Sequence, residues 1–388
     1  MKLDEFLQNK PLYYATIDYD RMPRAFKSIK DKLSLKPIIH IVGTNGKGST
    51  GRFLAQLIEN LGFSVGHYTS PHIFKFNERF YLNGHDASDD ELENAHEILQ
   101  NLLNDEFKNS LSYFEYATFL AAVLFKNCDY VIFEAGMGAQ FDATNVFEKR
   151  LSLFTPIGLD HTDMLGKNIE EISYTKLISM DKMAILNDSM NEISVSIAKD
   201  IAVKKGTNLK FAKDVLDSKD IEDIKKYGVK FSLANFQISN LSLSTAALKS
   251  LNLKPKFDGL KRLNLVGRIQ KITPNLTIDV GHNELAAQNI LKEFDGKKVV
   301  LIYNAFLDKD YKAVLKTLKP IIKRVEIYTY KSTQRKLATE FLEDMLLKEG
   351  IEFTKFKKLH ENQNYLLFGS FMLVEEFLRR ELGKENLC

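Results

Sequence analysis

Between the β-branched apolar run Ile38 to Val42 and a segment of helical period, Ser49 to Leu61, stands the sequence Gly43-Thr44-Asn45-Gly46-Lys47-Gly48-Ser49-Thr50. A strand, a glycine-rich turn and a helix in that order make a βα unit whose backbone amides and helix N-terminus can surround phosphate oxygens. Gly46 and Gly48 let the backbone come close to such a ligand, and Lys47 supplies a point charge for the outer phosphates. The spacing departs from the standard pattern, which has four residues between its glycines and Ser or Thr directly after Lys. Here only Thr44 and Asn45 separate Gly43 from Gly46, and Gly48 follows Lys47. Another residue must therefore help to hold a magnesium ion. A phosphate site of this kind fits a kinase, a GTPase or a ligase equally well.

Three further β-branched or apolar runs repeat the rhythm: Val131 to Glu134 before Gly136 to Gly138, Leu151 to Ile157 before Leu159 to Gly166, and Val299 to Tyr303 in a later unit. Both halves are thus expected to be α/β with parallel sheets. The stretch Lys254 to Arg268 is rich in Lys, Arg, Pro and Gly and breaks the periodicity, which puts a domain boundary near Leu263. Asp214 to Ser232 reads as a charged, solvated helix followed by a short strand. The 388 residues suffice for two or three cores, and 54 basic against 51 acidic residues leave a charge of only +3. Lysines interleaved with acids form no basic stripe, so nucleic acid is not an expected partner. Cys128 and Cys388 are too few for a disulfide framework. Met1 to Lys10 mixes charged with apolar residues, unlike a signal peptide or a membrane span, and the expected location is the cytoplasm, with no membrane partner.

Polar residues recur where strands are expected to end. Glu134 closes an apolar run just before a glycine turn, where α/β sheets generally bind ligands; its plainer reading is a helix cap or an ion-paired acid. His161 follows the next run and Lys176 lies on a helical stretch; they could equally be a hydrogen-bonded histidine and a surface lysine. Arg268 after Gly267 offers a fork for phosphates. Asp279 and His282 could also form a strand-end cap pair. Tyr113 and Phe114, taken alone, could be core aromatics.

The shortened loop, with Thr69-Ser70-Pro71-His72 downstream, resembles that of the Mur ligase superfamily, and the chain is similar to its folate branch, the dihydrofolate synthase/folylpolyglutamate synthase family. The resemblance covers nearly the whole chain. It runs through Ala15-Thr16-Ile17-Asp18, Ser112-Tyr113-Phe114-Glu115, Glu134-Ala135-Gly136-Met137-Gly138, Phe141-Asp142-Ala143-Thr144-Asn145, Leu159-Asp160-His161-Thr162-Asp163, Gly267-Arg268 and Asp279-Val280-Gly281-His282-Asn283. Asp308-Lys309-Asp310 and Gly369-Ser370-Phe371 look like pieces of the family's second domain.

The resemblance implies a P-loop NTPase-type parallel-sheet domain over 1–263 and a smaller Rossmann-like α/β domain over 264–388. It implies ATP contacts from Gly46, Lys47, Gly48, Ser49, Asn240, Arg268, Asp279 and His282. Two Mg²⁺ ions would be held by Ser70, Glu134, His161 and Lys176, with K⁺ as a further cation. A lysine ammonium has no lone pair for a cation, and in the family this lysine is carbamylated; Lys176-Leu177-Ile178-Ser179 stands here for the family's Lys-Ala-Gly-Ile. Lys47, His161 and Lys176 would be catalytic. Thr16, Ile17, Asp18 and Tyr19, with Ser112, Tyr113, Phe114, Glu115, Phe141, Asp142 and Ala143, would form the pteroate pocket. The implied activity of a monomeric enzyme is the addition of L-glutamate to dihydropteroate and to reduced folates through an acyl phosphate. A folylpolyglutamate synthase alone, a cell-wall amino-acid ligase and a non-catalytic nucleotide switch are the alternatives.

Overall fold

Strand β1 (Ile38–Val42) is buried at every residue because it is central in its sheet, with helices on both faces of a parallel array. The computed structural model describes residues 1–11, 18–332 and 335–385. The chain divides into two compact units. The first comprises 1–157, 165–232 and 237–263; the second comprises 158–164, 233–236 and residues from 264 onward.

The first unit carries an eight-stranded sheet. In chain order its strands are β1, β2 (Val65–Tyr68), β3 (Phe80–Leu82), β4 (His85–Asp86), β5 (Tyr130–Glu134), β6 (Lys149–Phe154), β7 (Met183–Leu186) and β8 (Asn208–Phe211). In space they run β4-β3-β2-β5-β1-β6-β7-β8, with β3 antiparallel to both β2 and β4 and the rest parallel. The chain leaves β1 toward β2, returns to β5 and then moves to the other side at β6. That reversal opens a crevice outside the carboxyl ends of β1, β5 and β6. The sheet alternates as a strand must. Gly66 faces Phe125, whereas His67, opposite Tyr81, faces the helix Lys47–Glu59. Its layers include one apolar cluster around Phe119, Phe133 and Phe147 and another around Phe154, Ile172 and Leu186.

The second unit has a six-stranded sheet: β9 (Gln270–Thr273), β10 (Leu276–Asp279), β11 (Val299–Tyr303), β12 (Ile322–Ile327), β13 (Phe353–Lys355) and β14 (Tyr365–Phe368), in the order β13-β12-β11-β14-β10-β9. Only β9 is antiparallel to its neighbour. Val314, Leu318, Leu342 and Phe368 belong to its core.

The helix after the glycine loop starts at Lys47 and ends at Glu59, two residues earlier at each end than its period suggests. The short strand expected before Ser232 is absent. Asp217 and Asp220 form a capping box that starts a helix running from Ser218 through Phe231, so Val229 and Phe231 are the end of that helix. Cys128 is buried; Cys388, like Thr16 and Ile17, lies outside the described residues. Among the described residues, no helix is long and apolar enough to cross a membrane.

Two histidines inside the first sheet carry a pH dependence. Burial holds His40 and His67 well below the usual histidine range, with Lys149 and Arg52 respectively adding to the effect. Both stay neutral when folded and take up protons only on unfolding. Their contribution is complete above about pH 6.5 and is lost as pH falls, at up to about 1.4 kcal/mol per pH unit for each group. Denaturant titrations between pH 7.5 and 5.5 should show falling stability. His67→Gln should make that slope shallower, and an unchanged slope would remove His67 from this account.

Candidate active site

The glycine loop is built by close contacts that leave no room for other side chains. Gly46 has φ +92, a left-handed conformation, and a Cβ there would lie 2.6 Å from Oδ1 of Asn240. A Cβ on Gly43 would lie 2.0 Å from Thr155 Oγ1. The amides of Thr44 and Asn45 donate to the carbonyl of Pro156, at 3.0 and 3.4 Å, which pins the loop to the end of β6. Lys176, buried on the helix Ile169–Leu177, donates from Nζ to the carbonyl of Gly43 at 2.9 Å. Asn240 is buried on the helix Asn235–Ser250, whose Ser244 hydroxyl donates to the carbonyl of Thr50 at 2.8 Å.

The loop presents unmet polar groups. The opening amides of an α-helix have no partner within it, so those of Lys47, Gly48 and Ser49 are positioned for an anion. The Ser49 hydroxyl and the Asn240 side-chain nitrogen are buried with no hydrogen-bond partner. Buried polar atoms normally have partners, so these two fit a phosphate oxygen or an ion seated in the loop.

Glu134 ends β5 beside β1, and its Oε1 lies 3.7 Å from Lys47 Nζ, which also donates to the carbonyl of Thr44 at 3.2 Å. Thr69 makes a short hydrogen bond to the other carboxylate oxygen, which the Ser70 amide approaches at 3.4 Å. Thr69 was not among the candidates, although it opens the quoted Thr69-Ser70-Pro71-His72 motif. His72, two residues after Ser70, accepts from Arg79 at 2.7 Å, and its pKa is pushed down to about 3 by burial and by that arginine. Among the described residues, no three His, Cys, Asp or Glu side chains form a group that could hold a metal. A magnesium ion held by one or two protein oxygens plus phosphates needs no such group.

The expected pteroate residues divide by what they touch. Ser112 and Glu115 form a capping box at the start of the helix Tyr113–Leu124, and Glu115 also pairs with Arg21 at 2.9 Å. Their spacing explains them without a ligand. Tyr113 and Phe114 are partly buried against the apolar core; Gly136 lies close to the Phe114 ring, and Arg79 lies 5.4 Å from the Tyr113 ring. Asp142 accepts from the amides of Gly136, Met137 and Thr144 and from the Thr144 hydroxyl. Since that hydroxyl donates to Asp142, it accepts from His40 Nε2, 2.8 Å away, which assigns the proton to that ring nitrogen. Burial pushes Asp142 upward against these donors. Ala143 is buried in the short turn after it. Asp18 pairs with Arg24 at 2.9 Å. Tyr19 and Phe141 are 51% and 56% exposed with ring centroids 4.3 Å apart, a pair of aromatic faces left open to a flat ligand.

In the second unit, Asp279 ends β10 and accepts from the amides of Ile269 and Gly281 at 3.0 and 2.7 Å. Burial raises its pKa while Arg268 and these donors oppose the rise. Arg268 lies over the Phe371 ring at 5.0 Å. His282 faces Asp160 at 3.4 Å, and Asp160 forms a short ion pair with Lys309. Neither Asp160 nor Lys309 was singled out, though both lie in quoted motifs. His161 belongs to this unit, whereas Ser70, Glu134 and Lys176 belong to the first.

The Mur ligase middle domain family matches residues 41–253. A dihydrofolate synthase/folylpolyglutamate synthase of Buchnera aphidicola is 31% identical over 89% of this chain and 88% of its own. The crystal structure of Helicobacter pylori folylpolyglutamate synthetase is 38% identical, covers 98% of both chains and superposes with a TM-score of 0.79. A bifunctional folylpolyglutamate synthase/dihydrofolate synthase with Mn, AMPPNP and L-glutamate bound shares the fold at 24% identity and a TM-score of 0.81, covering 97% of each chain.

The packing at Gly46 gives a direct test. Gly46→Ala must place a methyl group against the Asn240 amide in a left-handed conformation, which costs roughly 1–2 kcal/mol before the contact is counted. Calorimetric titration with AMPPNP should show binding weakened by about tenfold or more, the equivalent of 1.4 kcal/mol. Unaltered affinity would contradict the loop assignment.

Proposed function

The chain belongs to the dihydrofolate synthase/folylpolyglutamate synthase family of Mur-type ligases, and from that membership we infer that it is a bifunctional ATP-dependent enzyme of folate synthesis, adding L-glutamate to dihydropteroate and to reduced folates. The observation that carries this reading is the placement of Lys47 and Glu134 at the same end of adjacent parallel strands, with 3.7 Å between their charged atoms. A phosphate loop and a carboxylate so arranged suit transfer of a phosphoryl group to an acid.

A free carboxylate is a poor acyl donor because its oxygen is a poor leaving group. In the proposed sequence an acceptor carboxylate oxygen attacks the γ-phosphorus of ATP, the bond to the β–γ bridging oxygen breaks, and ADP departs. The glutamate amine then attacks the acyl carbon, phosphate leaves with the bond electrons, and the nitrogen gives up a proton. Lys47 Nζ and the amides of Lys47, Gly48 and Ser49, in the turn that Gly46 opens, hold the outer phosphates and meet the negative charge that moves onto the bridging oxygen. Asn240, Arg268, Asp279 and His282 are the further residues that would contact the nucleotide. Magnesium, when bound, neutralises phosphate charge, and Ser70, Glu134, His161 and Lys176 are the residues that would hold two such ions, with K⁺ as an additional cation. Lys176 meets that role as a carbamate, formed when its neutral amine adds CO₂ and releases one proton. Tyr19 and Phe141 offer the pterin its flat faces, and Asp142 stiffens the wall beside them. The enzyme works as a cytoplasmic monomer.

Two measurements test the reading. Purified protein should release ADP with dihydropteroate plus glutamate and with tetrahydrofolate plus glutamate, and not when glutamate is left out. Turnover with tetrahydrofolate alone of the two would reduce the enzyme to a polyglutamate synthase, and turnover with a cell-wall precursor instead would replace the folate reading. Lys176→Ala should lose activity by about a hundredfold or more, as removal of a group acting on transition-state charge does, with partial recovery on adding formate or acetate. Normal turnover in plain buffer would remove the carbamate from the mechanism.

A further inference from the structure

Asp160 is a largely, though not fully, enclosed carboxylate to which the mechanism above gives no task. It lies in the segment Gly158–Met164 of the second unit, directly before His161. Its side chain is 11% exposed and meets four donors. Lys309, itself 7% exposed, forms a short ion pair with Oδ1. The amide of His161 donates to that same oxygen at 2.9 Å. His282 Nε2 faces Oδ2 at 3.4 Å, and Asn283 donates to it from Nδ2 at 3.2 Å. The other ring nitrogen of His282 lies 3.2 Å from the carbonyl of Val280. His161 has φ +50, an uncommon backbone conformation for a residue with a Cβ, and the carboxylate bond to its amide helps to hold it there.

We propose that Asp160 is a positioning residue of the ligation reaction: one carboxylate fixes the backbone of His161 and the ring of His282 together, and Lys309 is its counter-ion. This rests on the ligase reading given above. The two histidines come from separate stretches of sequence, one after β6 and one after β10, and the one carboxylate touches both. A carboxylate can accept from all four donors at once because both oxygens are acceptors only. An amide cannot: its NH₂ would confront either Lys309 or His282 and Asn283, leaving a buried donor unmet.

Asp160→Asn is therefore the informative change, with Lys309→Met and Lys309→Arg as second variants that leave the carboxylate in place. For Asp160→Asn, kcat should fall about a hundredfold, as expected for misplaced reacting groups, with KM for ATP and for glutamate changed less than about threefold. Lys309→Met should follow it and Lys309→Arg should recover most of the loss. Independently of turnover, hydrogen exchange at the amides of 158–164 should quicken by about tenfold in Asp160→Asn, because local opening has lost its fastening. A kcat within about threefold of the unaltered enzyme, or unchanged exchange in that segment, overturns the proposal while leaving the ligase reading intact. An unaltered enzyme that releases no ADP with either folate acceptor overturns the ligase reading and this assignment with it.

Discussion

The packing of the glycine loop against its supports is the constraint from which the site follows. Gly43 fits against Thr155, Gly46 fits against Asn240, and the loop amides bond to Pro156, so two strands and a distant helix determine one turn. Lys176 adds a buried amine on the Gly43 carbonyl. The turn cannot adjust to a ligand by moving freely, and its helix amides are aimed in advance. Preorganisation of this kind lowers the cost of binding phosphate and keeps the donors where charge develops during transfer.

Buried carboxylates perform the equivalent service at other strand ends. Glu134 is held by Thr69, Asp142 by three amides and a hydroxyl, and Asp279 by two amides. Each acid ties a loop outside the carboxyl end of a strand, and each is satisfied by short-range donors rather than by bulk charge. The chain's charge of +3 accordingly says little about its anionic substrates, whose phosphates and carboxylates are met by a few placed groups.

Legibility followed the range of the interaction. The strand, turn and helix around Lys47 could be read because local residues make them: β-branched apolar residues, glycines at tight positions, then a helical period. Glu134 could be read as the last residue of an apolar strand. Ser112 and Glu115 carry a capping-box spacing, and the structure shows the cap, with Glu115 also bonded to Arg21. Asp214 to Ser232 reads as a charged helix followed by a short strand, but the helix that the capping box at Asp217 starts runs on through Phe231. The pairing of Asp160 with Lys309 joins residues 149 apart, and no local pattern announces which acid will meet which base across that distance. The α/β class of the two sheets was visible; the contacts that orient individual side chains were not.

In the proposed reaction, phosphoryl transfer to the acceptor carboxylate precedes formation of the amide. Dihydropteroate labelled with ¹⁸O in both carboxylate oxygens, turned over with ATP and L-glutamate in unlabelled water, tests this by mass analysis of the released phosphate. One ¹⁸O atom in each phosphate is the result the acyl phosphate requires, because the attacking carboxylate oxygen leaves with phosphorus. Unlabelled phosphate accompanying stoichiometric amide would mean that the carboxylate is never phosphorylated, and would contradict the account at its centre.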